Sequence, residues 1–145
     1  MTFVNEKGEK ECPVMVHHAT LGSIERFLSV FIEHTGGWFP FWCAPEQLRI
    51  VTVNDEVLDY VSEIEKILSE VVLEKPLKHN DLRFTVDKSD ESLGKKIRRA
   101  TSMKIPVVLI VGPKDKEART VSLRMKDVEK TIELREIADF LKNLN

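Results

Sequence analysis

The stretch Ile105-Pro106-Val107-Val108-Leu109-Ile110-Val111-Gly112 (IPVVLIVG) is the most apolar run in this chain of 145 residues. A short run that is rich in β-branched residues and ends at a glycine predicts a strand buried on both of its faces. Pro106 is tolerable there because it stands at the start of the strand. We therefore place this strand at the centre of a sheet.

Further strands are predicted on both sides of this run along the chain. Leu48–Val53 is mostly apolar, Leu82–Asp87 alternates, Thr120–Met125 places two apolar residues on one face, and Thr131–Ile132 adds a short fifth strand. The segment Pro113–Glu117 after the central strand is expected to be a loop. Strands alternating with helices predict an α/β fold with a mixed, largely parallel sheet of about five strands, flanked by three helices and ending in an antiparallel hairpin.

Apolar residues spaced three and four apart predict the three flanking helices. The first is capped at Asn54 or Asp55 and broken by Pro76. The second is short and basic, from about Glu91 to Met103 after a cap at Ser89 or Asp90, and the third is Glu133–Leu144. The buried stripe of the first helix is predicted to be Val57, Val61, Ile64, Leu68 and Val71. The outward-facing residues of the second are predicted to be Lys95, Lys96, Arg98 and Arg99.

A fourth amphipathic segment, HHATLGSIERFLSVFIEHTGG (His17–Gly37), precedes the sheet. Ser23 is a plausible N-cap for a helix that stops at Gly36, and Pro13–Val16 is expected to be a strand before it. Residues 1–12 are expected to be a strand end or a loose, poorly ordered tail. A helix this apolar so near the chain start is expected to have partners before residue 1. We therefore expect the chain to be the C-terminal piece of a larger protein.

Composition narrows the function classes. The net charge of −2 divides unevenly: residues 1–74 carry 5 basic and 13 acidic side chains, residues 75–104 carry 9 and 4, and residues 105–145 carry 8 and 7. A local basic excess is typical of a phosphate-binding face, although a solvated lysine-rich helix explains it equally well. No apolar run is long enough for a membrane span, and two cysteines fit a reducing compartment, so cytoplasm is expected.

Ligands of parallel sheets gather at the carboxyl ends of the strands, which points to the loops after Val86 and Val111. Neither loop is a glycine-rich phosphate loop, and no set of residues has the pattern of a catalytic site. The aromatic cluster at residues 38–42 has three interpretations. It is the packed core of a junction, which we favour, a platform on which bases stack, or a groove for a proline-rich peptide.

Two segments carry a resemblance to a known family. PVMVHHATLGSIERF (13–27) and FPFWCAPEQ (39–47) resemble the end of the catalytic domain of threonyl-tRNA synthetases running into the anticodon-binding domain. LGSIERF resembles the third signature motif of class II aminoacyl-tRNA synthetases. The resemblance implies three parts: a C-terminal remnant of the catalytic domain (1–37), a linker (38–47) and an anticodon-binding domain (48–145).

The resemblance also implies cofactors for the full-length enzyme. Arg26 would contact ATP, with Mg²⁺ also expected, and His17 would be one of three protein ligands of a zinc ion. The other zinc ligands and the earlier ATP motifs would belong to the missing catalytic domain. The chain alone is therefore expected to be non-catalytic and to bind no cofactor.

The implied partner of the chain is the anticodon loop of threonine tRNA, tRNA(Thr). Arg124 is expected to be the main residue that reads a base, with Asp115 accepting a hydrogen bond from a base. Asp90, Lys104 and Asp115 stand where the family typically has asparagine, arginine and glutamate. An aspartate cannot donate as an asparagine amide does, and lysine lacks the bidentate fork of arginine. The residues expected to bind tRNA are Asp90, Lys95, Arg98, Arg99, Lys104, Asp115 and Arg124, of which Lys95, Arg98 and Arg99 would contact phosphate or sugar.

The full-length enzyme would join threonine to its tRNA in an ATP-dependent reaction. It is expected to be a homodimer through its catalytic domain, which leaves a monomer as the expected state of the chain alone. Two alternatives stay open at this point. One is a non-enzymatic interaction module or accessory subunit built on the same fold, and the other is the corresponding domain of a prolyl, glycyl or histidyl synthetase.

Overall fold

The structure is a computed structural model that describes residues 1–73 and 80–144; the predicted helix break at Pro76 lies outside them. The strands are β1 (Phe3–Val4), β2 (Lys10–Glu11), β3 (Leu48–Thr52), β4 (Val72–Leu73), β5 (Asn80–Asp81), β6 (Phe84–Asp87), β7 (Val107–Val111), β8 (Thr120–Arg124) and β9 (Glu129–Glu133). The helices are α1 (Ile24–Thr35), α2 (Leu58–Ser69), α3 (Leu93–Ser102), α4 (Pro113–Ala118) and α5 (Ile137–Lys142), with 3₁₀ turns at Phe41–Cys43, Asp55–Val57 and Leu134–Glu136.

The main sheet has five strands in the order β6-β3-β7-β8-β9. β3 pairs in parallel with both β6 and β7, while β8 and β9 continue the sheet as antiparallel strands. The IPVVLIVG stretch therefore forms the central strand, and its residues are buried or nearly so. The predicted α/β class, the strand number and the terminal hairpin are confirmed.

The two faces of the sheet are covered unequally. Side chains of β3, β7, β8 and β9 on one face join α2 and α5 in the main core. This core contains all five residues predicted for the stripe of the first flanking helix, although Val57 precedes α2 and Val71 follows it. On the other face, Ala100 of α3 packs against Val51 of β3 and Val108 of β7. On that face of β8 and β9, Ser122 is half-buried and Arg124, Glu129 and Thr131 are exposed. This leaves half of a sheet face accessible beside α3.

Helix number and helix bounds differ from the sequence predictions. α2 begins at Leu58 after a 3₁₀ turn and not directly after Asn54 or Asp55, and α5 covers only Ile137–Lys142 of the predicted stretch 133–144. The expected loop 113–117 is the helix α4, because Pro113 suits its first position and Asp115 accepts a hydrogen bond from the Gly112 backbone N–H at 2.9 Å. α3 begins after Ser92 instead of after Ser89 or Asp90, since the Ser89 side chain binds Asp87. The described residues thus form five helices, four of them after β3, where three flanking helices were predicted.

The N-terminal segment only partly follows its pattern. Ser23 caps α1 by accepting a bond from the Arg26 backbone N–H, and Gly36 ends the helix with a φ of 59°. The predicted strand Pro13–Val16 is wrong, because the described part of the chain offers it no strand to pair with, and Val14–Val16 are exposed. Residues 1–12 were expected to be poorly ordered, yet Phe3–Val4 and Lys10–Glu11 pair as a small hairpin.

Helix α1 leaves its apolar face largely uncovered. None of its residues is fully buried, although Phe31 stacks on Phe39 with ring centroids 5.2 Å apart.

Among the residues that the structure describes, no helix is both long and apolar enough to cross a membrane.

Candidate nucleic-acid interface

The loop after β6 is held by a network of charged groups. The Arg99 guanidinium binds the carboxylates of Asp87 and Glu91 and donates to Ser89 Oγ at 2.8 Å, while Ser89 donates to Asp87. Burial raises the pKa of Asp87, but the hydrogen bonds from Ser89 and Arg99 and the charge of Arg99 outweigh it and lower that pKa to about 2. Arg99 therefore fixes the loop that carries Asp90.

Of the four cations predicted to face outward on α3, two face solvent and two do not. Lys95 is exposed and pairs with Glu91 at 2.7 Å, and Arg98 is exposed with no ion pair in the described part of the chain. The prediction that Lys96 and Arg99 face outward is wrong. Lys96 is 5% exposed beneath the helix, and Arg99 is half-buried in its network with Asp87.

Arg124 lies on the uncovered half-face of the sheet. It ends β8 opposite Val108 of β7 and forms an ion pair with Glu129 of β9 at 3.0 Å. Both partners are well exposed, so this pair is weak and easily exchanged. Ile110, Ser122, Thr131 and other β8 and β9 residues line a shallow depression of about 190 Å³ beside Arg124.

Asp115 closes the other end of the same half-face. One carboxylate oxygen accepts from the Gly112 N–H at 2.9 Å, and the other accepts from Ser122 Oγ at 3.0 Å. Ser122 pairs with Ile110 in the sheet, two residues before Arg124 along β8. We call Ile110, Asp115, Ser122 and Arg124 the open strip.

Lys104 lies between α3 and β7, where its φ of 58° is unusual for a residue with a side chain. Its Nζ lies 5.2 Å from the centre of the Trp38 ring, and Lys126 Nζ lies 5.9 Å from the same ring. Both are cation–π contacts with the same indole ring. Of the aromatic cluster, Phe41 is in the core, whereas Trp42 is 44% exposed.

The predicted binding residues therefore fall at both ends of the strands. Asp90 and Asp115 follow the carboxyl ends of β6 and β7, as predicted, whereas Lys104 and Arg124 lie at the amino end of β7. The open strip connects the two ends along one face. The sequence did not reveal this strip. Which residues share a sheet face, and in which register, depends on the antiparallel pairing of β8, and the helix–strand pattern does not specify that pairing.

The residues implied for ATP and zinc precede the sheet along the chain: His17 lies before α1, and Arg26 lies in its first turn. His17 and Arg26 are exposed. Within residues 1–73 and 80–144, no three His, Cys, Asp or Glu side chains come together as a metal site. His17 thus lacks companion ligands there, and the described residues by themselves do not fit a zinc ion.

Comparison with known proteins agrees with this architecture. Residues 47–144 match the family described as anticodon binding domain. The chain is 40% identical over 126 residues to the threonine–tRNA ligase of Gloeobacter violaceus, covering 87% of this chain and 19% of that protein. It is 36% identical over 144 residues to that of Clostridium kluyveri, covering 99% and 21%. The chain thus spans about a fifth of the length of these relatives.

Two solved structures share the fold. The RNA-binding domain of threonyl-tRNA synthetase from Cryptosporidium parvum Iowa II superposes with a TM-score of 0.74 at 25% identity, covering 88% of this chain and 30% of that one. Prolyl-tRNA synthetase from Cryptosporidium parvum superposes with a TM-score of 0.61 at 23% identity over 72% of this chain and 21% of that one, a likeness of fold alone. Because residues 47–144 match this family, the chain belongs to the anticodon-binding domain family of aminoacyl-tRNA synthetases.

Proposed function

We propose that the chain recognises the anticodon loop of threonine tRNA and that it does so as part of a threonine–tRNA ligase. The observation that carries the proposal is the family match across residues 47–144, together with relatives that are named threonine–tRNA ligases. Because those relatives are about five times longer, aminoacylation of tRNA with threonine, driven by ATP, is proposed for the longer protein.

The open strip supports recognition of single-stranded RNA. Proteins read such RNA through base edges that are splayed out of the helix, which requires an accessible surface with polar donors and acceptors. Arg124 offers a guanidinium whose present partner, Glu129, is exposed on the neighbouring strand. Exchanging that partner for a base costs little, so we assign Arg124 as the main residue that reads a base.

The other proposed contacts differ in how free their side chains are. Lys95 and Arg98 lie on the exposed face of α3 and suit phosphate or sugar contacts. Arg99 is already bound to two carboxylates, which favours a positioning role over direct contact. Lys104 lies against Trp38, where a base could also stack, and Asp90 is exposed in the loop after β6.

Asp115 is proposed to act by holding the open strip in place. Both of its carboxylate oxygens already accept bonds from within the chain, from Gly112 and Ser122. Each oxygen keeps a further lone pair, so acceptance from a base stays a prediction. These hydrogen bonds support a role in fixing the start of α4 against β8, at the end of the open strip away from Arg124.

The segment before the linker is proposed to belong to the catalytic part of the longer protein, with residues 38–47 as the linker and 48–145 as the anticodon-binding domain. The uncovered apolar face of α1 supports this division, because such a face is normally buried against another part of a protein. In that longer protein Arg26 would bind a phosphate group of ATP, accompanied by Mg²⁺, and His17 would bind zinc. A homodimer and a cytoplasmic location are proposed for it as well.

The alternatives are less well supported. A prolyl synthetase is represented among the structural neighbours, but at an identity that supports the fold alone. An accessory subunit without aminoacylation activity would have no reason to keep Arg26 in an LGSIERF motif. Aminoacylation of threonine tRNA by the complete protein, measured with threonine and proline side by side, separates these possibilities.

The assignment of Arg124 is tested by the binding of this chain to a threonine tRNA transcript. We expect Arg124→Ala to weaken binding by roughly 1–3 kcal/mol, as for other side chains that read bases. Arg135→Ala is the matched control, since Arg135 is also an exposed arginine paired with one glutamate, Glu133. Equal binding by wild-type chain and Arg124→Ala would refute the role of Arg124.

A further inference from the structure

Lys96 is the one lysine of α3 that the structure buries, with 5% of its surface exposed. Its Nζ donates to Thr52 at the end of β3, to Oγ1 at 3.2 Å and to the backbone carbonyl at 3.4 Å. Both distances are at or beyond the long end of the usual range for such bonds. An ammonium group has three N–H donors, so one remains available.

Among residues 1–73 and 80–144, the positive charge of Lys96 has no negative partner within hydrogen-bonding distance. Both of its acceptors are neutral oxygens of Thr52, and none of the ion pairs among residues 1–73 and 80–144 includes Lys96. Burial of a charge is costly unless it is paired. A group in this position is therefore expected to attract an anion wherever one can reach it.

An anion can reach it through a cavity of about 390 Å³ between α2, α3 and the loop after β6. Lys96 and Thr52 form part of its wall, and Lys88 and Ser89 form another part. The cavity lies at the carboxyl ends of the parallel strands β3 and β6, where ligands of α/β sheets commonly bind. Two ammonium groups and the Thr52 hydroxyl, whose oxygen accepts from Lys96, are thus available as donors.

The wall contributed by α2 and the turn before it is acidic. Asp55 is exposed and Glu65 is half-buried, and neither forms an ion pair with Lys88 or Lys96 among the described residues. Solvent and salt screen an exposed carboxylate much more than they screen a buried ammonium. The inner end of the cavity, at Lys96, is therefore the end that suits a negative group.

We propose that this cavity binds a phosphate group, held by Lys96 at its inner end and by Lys88 at its mouth. The phosphate comes either from the RNA backbone or from free inorganic phosphate. The RNA backbone as the source rests on the function proposed above. It is favoured because Lys88 and Ser89 directly precede Asp90, a residue proposed to bind tRNA, in the loop after β6. Free inorganic phosphate as the source does not depend on that function.

The test is a titration of the 145-residue chain with inorganic phosphate, followed by amide chemical shifts at an ionic strength kept constant with sodium chloride. Saturable shifts are expected at Thr52, Lys88, Ser89 and Lys96. Lys96→Met keeps the apolar stem and removes the charge, and it is expected to weaken binding about ten-fold or more, the usual worth of a charge-assisted hydrogen bond. Lys88→Gln, at an exposed site, is expected to weaken phosphate binding less than Lys96→Met does. It provides the test if Lys96→Met does not fold.

Lys142→Gln, in the C-terminal helix, is the matched control and should bind phosphate like the wild-type chain. The proposal is overturned if phosphate causes no shifts at Thr52, Lys88, Ser89 and Lys96. It is also overturned if the shifts are unchanged in Lys96→Met and Lys88→Gln. A second titration with a threonine tRNA anticodon stem-loop identifies the source. If free phosphate competes with the stem-loop for the wild-type chain but not for Lys96→Met, the cavity binds a phosphate of the RNA backbone. If free phosphate does not compete with the stem-loop, the cavity binds free inorganic phosphate.

The two proposals fail separately. A chain that binds no stem-loop RNA refutes the anticodon proposal, while the phosphate titration still decides whether the cavity is an anion site.

Discussion

Replacing Asp87 by asparagine should destabilise the chain and change how its stability depends on pH. Asp87 ends β6 with 8% of its surface exposed, and it binds Ser89 and Arg99. Asparagine has nearly the same shape but cannot carry the charge that these groups stabilise. The substitution therefore removes an electrostatic contribution while leaving the packing of β6 intact.

The magnitude follows from the pKa of the Asp87 carboxyl, which falls from 3.8 to about 2 on folding. At about 1.4 kcal/mol for each pH unit, this difference corresponds to about 2 kcal/mol of unfolding free energy. Arg99 is 39% exposed, so solvent screens part of the interaction. We therefore expect Asp87→Asn to cost about 1–2 kcal/mol at pH 7.

The sign of the pH dependence is fixed by the lowered pKa. The stability that Asp87 contributes is present above the unfolded pKa of 3.8 and is lost as the pH falls toward 2. Urea unfolding of both chains at pH 7 and at several values between 4 and 2 measures it. The difference in unfolding free energy between them should narrow through that range. Asp127→Asn, at an exposed position in the β8–β9 turn, should show no comparable loss at pH 7.

Two results would refute this reasoning. If Asp87→Asn and the wild-type chain unfold with the same free energy at pH 7, Asp87 contributes nothing through its charge. If the difference stays constant from pH 7 to pH 2, the loss arises from packing instead of ionisation.

Three further substitutions test the fold by urea unfolding at pH 7. Tyr60→Phe removes a hydrogen bond of 2.9 Å to the Thr120 carbonyl and should cost about 1 kcal/mol; no change would show that this bond adds no stability. Asp115→Ala removes the acceptor of the Gly112 N–H and should cost about 0.5–2 kcal/mol, and a neutral effect would contradict the cap assigned to α4. Ile64→Ala empties a fully buried core position and should cost about 2–5 kcal/mol, whereas a loss under 1 kcal/mol would place Ile64 outside the core.

The parts of the fold that follow from hydrophobic pattern were predictable. The stretch 107–111 is central because its side chains are apolar on both faces, and the stripe of α2 is buried because its spacing matches one helix face. Ser23 and Gly36 bound α1 as their chemistry requires. In each case a single local rule coincides with the tertiary environment.

The parts that failed depend on contacts between distant residues. Pro13–Val16 has the composition of a strand, but a strand also needs a neighbour, and the described chain supplies none. Lys96 is polar and stands on a basic helix, yet the lower face of α3 meets Thr52, 44 positions earlier along the chain. A helical pattern with Leu93, Ile97 and Ala100 inward does place Lys96 beside that face, which was the available signal.

The candidate site was predictable in its residues more than in its arrangement. Arg124, Lys104 and Asp115 were identified through resemblance to a family, and their roles in binding stay predictions. Which of them share a face depends on the pairing of β7 with β8, where Ser122 lies opposite Ile110 and Arg124 opposite Val108. Such register is set by the whole sheet and is not evident in any one strand.

The measurement that tests the central claim most directly is binding of the wild-type chain to threonine tRNA transcripts with the natural anticodon and with its second or third base changed. Salt concentration must be stated and equal, because phosphate contacts alone depend steeply on it. A reader of the anticodon should lose roughly 1–3 kcal/mol of binding free energy for each altered base. Equal affinity for every transcript, falling together as salt rises, would mean that the chain offers a basic surface and does not read the anticodon.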